Sequence, residues 1–330
     1  MKGAILYTMF SGLGDFIVMY NAKKMAETSL GVRVLVAHRR NPYIYNLAPG
    51  KRKDYFDIYS PLELLSLKKV LTLNISGERF GIQQAPGSIQ GYTFLRFMKK
   101  IYAVDYIVDF NLINADIRTP PRGEYILEIH RNQLKDLFKM DIPLFLELPF
   151  KPEPVDLPDG SPLIAINPLS GRIGCNTYTW PYYKWKDLLA DLIEMEKDAR
   201  FLLILKGERG KIYRELEKAF PGRLKTYSRL SLGQLTYLLQ KCDLFLTVNS
   251  GPVHMAHFLR KKTVILSGPT LDLWNPSGPH IRVVRDEGAR FPPSEQCRRA
   301  PGVPSVCNIC TKDVMGAITD LLGERSMAEL

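Results

Sequence analysis

The chain has 330 residues, 45% of them hydrophobic and 24% charged, and a formal net charge of +11. That is long for one hydrophobic core and too apolar for a disordered chain, so two soluble domains of ordinary size are expected. The charge calls for an acidic partner: a nucleic acid, an anionic membrane surface, or a phosphorylated or carboxylated substrate. No run approaches the roughly 20 apolar residues of a spanning helix.

Residues 4–10 form a short apolar run ending at a glycine turn, with no small-residue cleavage site. A first strand is therefore expected rather than a signal peptide, and with it a cytoplasmic protein. Residues 16–30 have helical character and 32–37 are strand-like. A strand over 55–59, a helix over 62–73 and a strand over 106–110 continue the alternation. The stretch 74–91 has no clear period and reads as a long loop, a kind of segment that is often functional. A helix over 127–138 follows. Strands separated by helices argue for a parallel sheet covered on both faces.

Four prolines between Lys151 and Pro162, with almost no apolar period, mark a linker. Beyond it the alternation restarts with a strand over 163–167, a helix over 182–196 and a strand over 201–205. Helices over 211–220 and 232–240 follow, the latter with Ser231 as N-cap. A strand over 244–248, a helix opening at Pro252, a strand over 263–267 and a closing helix over 313–322 complete the pattern, and 325–330 are expected to fray. The predicted organisation is two doubly wound α/β domains, 1–155 and 156–312, and a closing helical segment, 313–330.

Two turns carry the strongest chemical signal. Asn249-Ser250-Gly251-Pro252-Val253-His254 follows one apolar strand, and Ser267-Gly268-Pro269-Thr270 follows the next. Pro252 suits the first helical position, where its missing N–H would be unpaired anyway. The unpaired N–H groups behind it, with the helix dipole, form a site for an anion such as a phosphate. Open α/β sheets hold ligands at the carboxyl ends of their strands, so a nucleotide-handling site is expected here. The first strand ends in Ser11-Gly12-Leu13-Gly14-Asp15. A dinucleotide fingerprint would want glycine at position 17, which is Ile17, and this speaks against a nicotinamide enzyme. Asp15 reads as the cap of the following helix or as a catalytic base, two roles that are compatible.

Cys297, Cys307 and Cys310 form a Cys-x9-Cys-x2-Cys pattern. The closer pair can present two thiolates to one structural zinc or iron, with Cys175 as a fourth ligand; the alternative is three reduced thiols near a loop. Cys242 reads as a buried core thiol, and an odd total of five does not fit a secreted disulfide framework. The basic runs His38-Arg39-Arg40 and Lys51-Arg52-Lys53 suit an acidic or phosphorylated acceptor, or the anionic inner face of an inner membrane. His130, His280, Trp180, Trp185 and Trp274 read as structural or exposed positions. Charge alone would also suit a nucleic-acid binder. No groove-reading helix or aromatic RNA motif accompanies it, so no nucleic-acid partner is expected.

In sum these motifs resemble glycosyltransferase family 9, the lipopolysaccharide heptosyltransferases. Ser-x-Leu-Gly-Asp after the first strand is similar to the family's N-terminal signature. So is Ile166-Asn167-Pro168-Leu169-Ser170-Gly171, followed by Trp180-Pro181 at a helix start. Val248 to His254, Ser267 to Thr270 and Asn275-Pro276-Ser277-Gly278 resemble its Asp-[Ser/Thr]-Gly-x-x-His, Phe-Gly-Pro-Thr and Gly-Pro-x-Gly elements. The resemblance implies a GT-B architecture, two Rossmann-like domains facing across a cleft. It also implies an inverting, metal-independent transfer from a nucleotide sugar, with ADP-heptose as first guess, to a glycan such as the lipopolysaccharide core.

Asp15 would then deprotonate the acceptor hydroxyl. Ser250, Gly251 and His254 would surround the donor diphosphate and its sugar, Ser170 would lie on the phosphate side, and Glu208 would meet the ribose. Gly12, Gly14, Gly171, Lys206, Asn249, Pro252, Gly268, Pro269 and Thr270 complete the implied donor set. No cofactor is implied for catalysis, although some relatives carry a cysteine cluster that holds iron. Two positions depart from the pattern. Asn249 stands where the family has Asp, and Tyr178 where a lysine is common, with Lys206 or Arg172 as its substitutes. The remaining alternatives are a transferase using another nucleotide sugar on a protein or polysaccharide acceptor, and a non-catalytic relative that only binds the nucleotide sugar.

Overall fold

In the computed structural model the N-terminal apolar run is strand β1 (Ala4–Met9). Residues 3–9, 12–47, 49–73, 77–83, 96, 99–100, 104–109, 115–118, 124–170, 179–205, 213–268, 272–286 and 306–323 are described. The chain divides into two units, Met1–Pro149 and Phe150–Leu330. In the first, β1 leads to α1 (Leu13–Leu30), β2 (Arg33–His38), a 3-10 turn (Pro42–Asn46), α2 (Pro49–Arg52) and β3 (Tyr55–Asp57). Then come α3 (Pro61–Leu73), β4 (Arg79–Gln83), β5 (Tyr106–Asp109), β6 (Ile117–Arg118) and α4 (Ile126–Phe138). The six strands pair in parallel in the order β3-β2-β1-β4-β5-β6.

Helix α1 is apolar almost all round and is correspondingly buried, with Phe16, Ile17, Val18, Met19, Ala22 and Met25 wholly inside. It stops at Gly31, which takes the left-handed conformation (φ 63°) and returns its N–H to Glu27 O at 3.2 Å. The helix begins three residues before the predicted 16, because Gly12 and not Asp15 is its N-cap. The predicted loop 74–91 contains β4, the strand that pairs with β1 at the centre of the sheet. Its apolar signal is only Phe80 and Ile82, alternating with Arg79, Gly81 and Gln83, too short a period-2 run to stand out against its neighbours.

The second unit runs β7 (Leu163–Asn167), α5 (Tyr182–Met195), β8 (Arg200–Leu205), α6 (Arg214–Ala219), β9 (Leu224–Ser228) and α7 (Leu232–Lys241). It continues with β10 (Leu244–Val248), α8 (Gly251–Phe258), β11 (Thr263–Ser267), β12 (Ile281–Arg285) and α9 (Thr311–Gly323). Its parallel strands lie in the order β12-β11-β10-β7-β8-β9. Read from its own first strand, this is the strand order of the first unit. The sequence misses β6, β9 and β12, all at sheet edges, where partial exposure dilutes the apolar pattern. Ser231 does cap α7, its Oγ accepting from Gln234 N–H at 3.0 Å while Gln234 Oε1 accepts from Ser231 N–H.

The proline-rich stretch 151–162 has neither helix nor strand, yet it is tied to the second unit. Glu153 N–H donates to Gly233 O at 3.0 Å, and Asp156 takes Lys225 Nζ on its carboxylate and Tyr227 OH on its carbonyl. A Cβ on Gly233 would meet the Glu153 side chain at 2.5 Å and Lys151 O at 2.6 Å, so this close approach requires glycine. The division of the chain accordingly falls at Pro149–Phe150, ahead of that stretch, where the sequence reading put it at 155.

Trp180 and Trp185 are fully buried, their rings edge to face at 5.0 Å, in a core with Leu188, Leu192, Val314 and Ile318. Truncating either to alanine should cost about 3–5 kcal/mol. Cys242 is a core thiol as predicted, and burial pushes it up to about 12. Among the described residues no helix is long and apolar enough to cross a membrane.

Candidate functional site

In a 3-2-1-4-5-6 sheet the strand order reverses between its first and fourth strands, and ligands bind beyond the carboxyl ends there. The reversal lies between β1 and β4 in the first unit and between β7 and β10 in the second. The predicted site turns leave β1, β7 and β10, and that of Ser267 and Gly268 leaves the neighbouring β11.

After β1, Gly12 caps α1 and Asp15 is its third residue. The Asp15 side chain folds back, Oδ2 accepting Gly12 N–H at 3.0 Å. A Cβ on Gly12 would stand 2.5 Å from that oxygen, so only glycine leaves room for this carboxylate. Asp15 thus satisfies the cap's own N–H, not the N–H groups deeper in the helix, which corrects the N-cap expectation. Its negative charge at the positive helix end stabilises α1. Asn41, wholly buried, braces the turn by donating Nδ2 to Gly12 O at 3.3 Å. Asn41 is itself pinned, its N–H on His38 Nδ1 at 3.2 Å and its Oδ1 taking Tyr43 N–H at 3.0 Å. Burial pushes His38 down to about 4, so its ring is the neutral acceptor this bond needs. Of the nearby basic runs, Arg40 lies over the Tyr59 ring at 5.2 Å and Lys51 over Tyr20 at 6.0 Å. Arg52 is bound to the carbonyls of Leu47 and Tyr45.

In the second unit the register pairs Asn167 of β7 with Thr247 of β10. This places the Asn167 carboxamide within 3.1 Å of Thr247 Oγ1 and 2.9 Å of Ser250 Oγ. Ser250 is the N-cap residue of α8, but its hydroxyl makes no capping bond and is held by Asn167 instead. Pro252 occupies the first turn as predicted. The leading N–H groups of any helix lack intrahelical acceptors and carry the positive end of the dipole. Here Gly251 and Pro252 are half-buried, not sealed in the core. Ser170, just beyond β7, is almost wholly buried.

Asn249 donates Nδ2 to Asn275 Oδ1 at 2.5 Å, and Asn275 Nδ2 donates to Ser267 Oγ at 3.1 Å. The turn after β10 is thereby tied to the turn that leads into Gly268. With asparagine at 249 the tie is a neutral amide chain; an aspartate there would set a carboxylate against the Asn275 oxygen.

His254 lies one turn into α8, only 5% exposed, its ring edge-on to Trp274 at 6.3 Å. Burial pushes its imidazole down to about 3, with His257 adding to the shift, so it brings a neutral ring and no positive charge. His257 is driven down to about 4 by burial and stacks on His280, with Nδ1 and Nε2 3.2 Å apart. His280 is thus half of a packed pair.

Cys307 lies within a 3-10 turn (Val306–Asn308) and Cys310 directly before α9. The segment is held by Lys184, which donates to Cys307 O at 2.7 Å and Ile309 O at 2.9 Å, and by Trp180 Nε1 on Ile309 O at 3.1 Å. Cys307 Sγ donates to Thr179 O at 3.3 Å, and Cys310 is exposed. Among the described residues no three metal-ligating side chains come together. Cys175, Cys297, Gly171, Arg172, Tyr178, Lys206, Glu208, Pro269, Thr270 and Ser11 lie outside the described residues. Asn41 and Thr247 were not singled out from the sequence, and Asn275 was named only as the start of the Asn-Pro-Ser-Gly element. Each is an asparagine or threonine at a strand end or beside a proline, a signal shared with ordinary turns.

Residues 139–299 match the model of glycosyltransferase family 9 (heptosyltransferase). No curated protein matches the chain. Among solved structures it is similar to the E. coli ADP-heptose lipopolysaccharide heptosyltransferase II, at 17% identity over 99% of this chain and 100% of that one, TM-score 0.63. It is similar to a family 9 glycosyltransferase from Veillonella parvula, at 16% identity over 97% of each chain, TM-score 0.70. It is also similar to TibC of enterotoxigenic E. coli, an iron-containing dodecameric heptosyltransferase solved with ADP-D-β-D-heptose, at 14% identity over 99% of this chain and 78% of that one, TM-score 0.58. These likenesses establish the GT-B class of the two doubly wound units. Residues 139–299 are thus the segment similar to glycosyltransferase family 9, and this match together with the shared fold supports a glycosyltransferase.

Proposed function

We propose that the protein transfers a sugar, with inversion, from a nucleotide diphosphate sugar to a hydroxyl of a cell-envelope glycan such as the lipopolysaccharide core. ADP-heptose is the donor in this reading, supported by the ADP-heptose that names or occupies the E. coli heptosyltransferase II and TibC structures. The observation that carries the proposal is the placement of both glycine turns at the points where strand order reverses. One turn presents a carboxylate, the other a helix N-terminus with the Ser250 hydroxyl.

Asp15 takes the proton of the acceptor hydroxyl as that oxygen bonds to the anomeric carbon. The bond from this carbon to the diphosphate breaks, and the departing charge falls to the α8 N–H groups, Ser250 and Ser170. These groups do the work a divalent ion would do, so the transfer needs none. Arg39 and Lys53 belong to basic loops suited to an acidic or phosphorylated acceptor. Cys307 and Cys310, with Cys175 and Cys297, have the donor chemistry of a structural zinc or iron site. Purified protein with neither metal on elemental analysis would refute that part.

A thermal-shift series with ADP-, UDP- and GDP-linked sugars tests the donor, since a ligand of the folded state raises the melting temperature. ADP-heptose should give the largest rise, and a larger rise with a UDP or GDP sugar would reassign the nucleotide.

A further inference from the structure

Asn167, Thr247 and Ser250 form one hydrogen-bonded cluster at the ends of β7 and β10, and its bonds have a direction. Asn167 Nδ2 donates to Thr247 Oγ1 at 3.1 Å and to Ser250 Oγ at 2.9 Å. An amide nitrogen carries two hydrogens, one for each hydroxyl. Thr247 is wholly buried and gives its single hydroxyl hydrogen to Val248 O at 2.7 Å. Its oxygen can then only accept from Asn167. This excludes the opposite setting of the carboxamide, with its own oxygen turned to the two hydroxyls. Thr247 thus fixes the amide, and the amide makes Ser250 Oγ an acceptor on its inner side.

The Ser250 hydrogen remains. The described residues offer it only Thr247 Oγ1, at 3.4 Å, whereas bonds between hydroxyls ordinarily close to about 2.7–2.8 Å. Ser250 is half-buried at the N-cap of α8, beside the leading N–H groups of that helix. We propose that Asn167 is a positioning residue that sets the polarity of this turn: by donating to Ser250 it turns the serine hydrogen outward, onto a phosphate oxygen of the donor. Hydroxyl and helix N–H groups then meet the ligand with hydrogens together. The oxygen they suit carries no proton of its own, as in the diphosphate diester of a nucleotide sugar. The inference rests on the proposed reaction for the identity of the ligand, not for the direction of the bonds.

The test is calorimetry of the full chain with ADP-glucose, a diester whose phosphates hold no titrating proton between pH 5 and pH 8. Asn167→Asp replaces the amide by a carboxylate that only accepts and draws the Ser250 hydrogen inward. Affinity should fall by about tenfold or more at pH 8 and recover toward pH 5, where the carboxyl regains a hydrogen to donate. Thr247→Val, uncharged and away from the ligand, frees the amide to turn over and should weaken binding by about threefold or more. In a Ser250→Ala background the same change should cost nothing further, which separates polarity from charge repulsion and from general damage. Melting identifies a variant that fails to fold; should Asn167→Asp do so, Thr247→Val with and without Ser250 carries the test. Native affinity in Thr247→Val, an equal loss without Ser250, or a loss in a folded Asn167→Asp that pH does not relieve overturns the assignment. A native protein that binds neither ADP-glucose nor its UDP and GDP counterparts overturns the donor reading itself, and this inference with it.

Discussion

The turn after β1 and the turn after β10 occupy equivalent places in two sheets of one strand order, and they hold opposite chemistry. The first sets an acidic side chain against a glycine N–H at the head of a helix of 18 residues. The second opens a helix of 8 residues with hydroxyls and amides, keeps its histidines neutral, and has no acidic residue in its first turn. In the proposed reaction the first turn takes a proton and the second receives an anion. In that reading topology decides where a ligand can sit, and two or three side chains decide the part each turn plays. The supports differ in kind as well. Asp15 is held by a local bond and by the absence of a Cβ, whereas Ser250 is held by a strand 83 residues away in sequence.

The sharpest way to break this contrast is Asp15→Asn. Turnover should fall by about 10²- to 10⁴-fold while the donor affinity measured by calorimetry stays unchanged; a rate within a few-fold of native would remove Asp15 as the base. Asn167→Ala leaves Thr247 and Ser250 without their shared amide. It should cost about 1–3 kcal/mol in urea denaturation and weaken donor binding, with acceptor affinity untouched. Gly12→Ala puts a methyl where Asp15 Oδ2 lies, and should lower turnover by about tenfold, ~1.4 kcal/mol, without affecting the donor. Equal loss of donor binding in that variant would mean that the two turns are not separable.

A further test is the pH response of the second turn. His254 and His257 are lowered to about 3 and about 4, below the unfolded value of 6.5. The unfolded chain therefore binds the extra protons between those limits. The stability this contributes is whole above about pH 6.5 and is lost as pH falls toward 4, with a slope of order 1 kcal/mol per pH unit for each ring. Melting scans from pH 7 to pH 4.5 should show this decline, and His254→Gln should flatten it; an unchanged slope would place the titration elsewhere.

How much of this was legible in advance follows from how far each contact reaches along the chain. Strong apolar runs such as Leu244–Val248 and Thr263–Ser267 announce central strands, because burial on both faces leaves no polar residue to blur them. Arg79–Gln83 is just as central, but only two of its five residues are apolar, and pairing with β1 rather than composition makes it a strand. The helix opening at Pro252 and the box at Ser231 were legible because their bonds close within three or four residues.

By itself, then, the sequence determined the alternation of strands and helices, the two turns and the residue types placed in them, since these depend on side-chain period and local backbone preference. Only tertiary structure decided that Asn167 would hold Ser250, that Asn275 would tie the turn of β10 to that of β11, and that His254 would be uncharged. Each of these rests on strand register and burial, which bring together groups that carry no mark of one another along the chain.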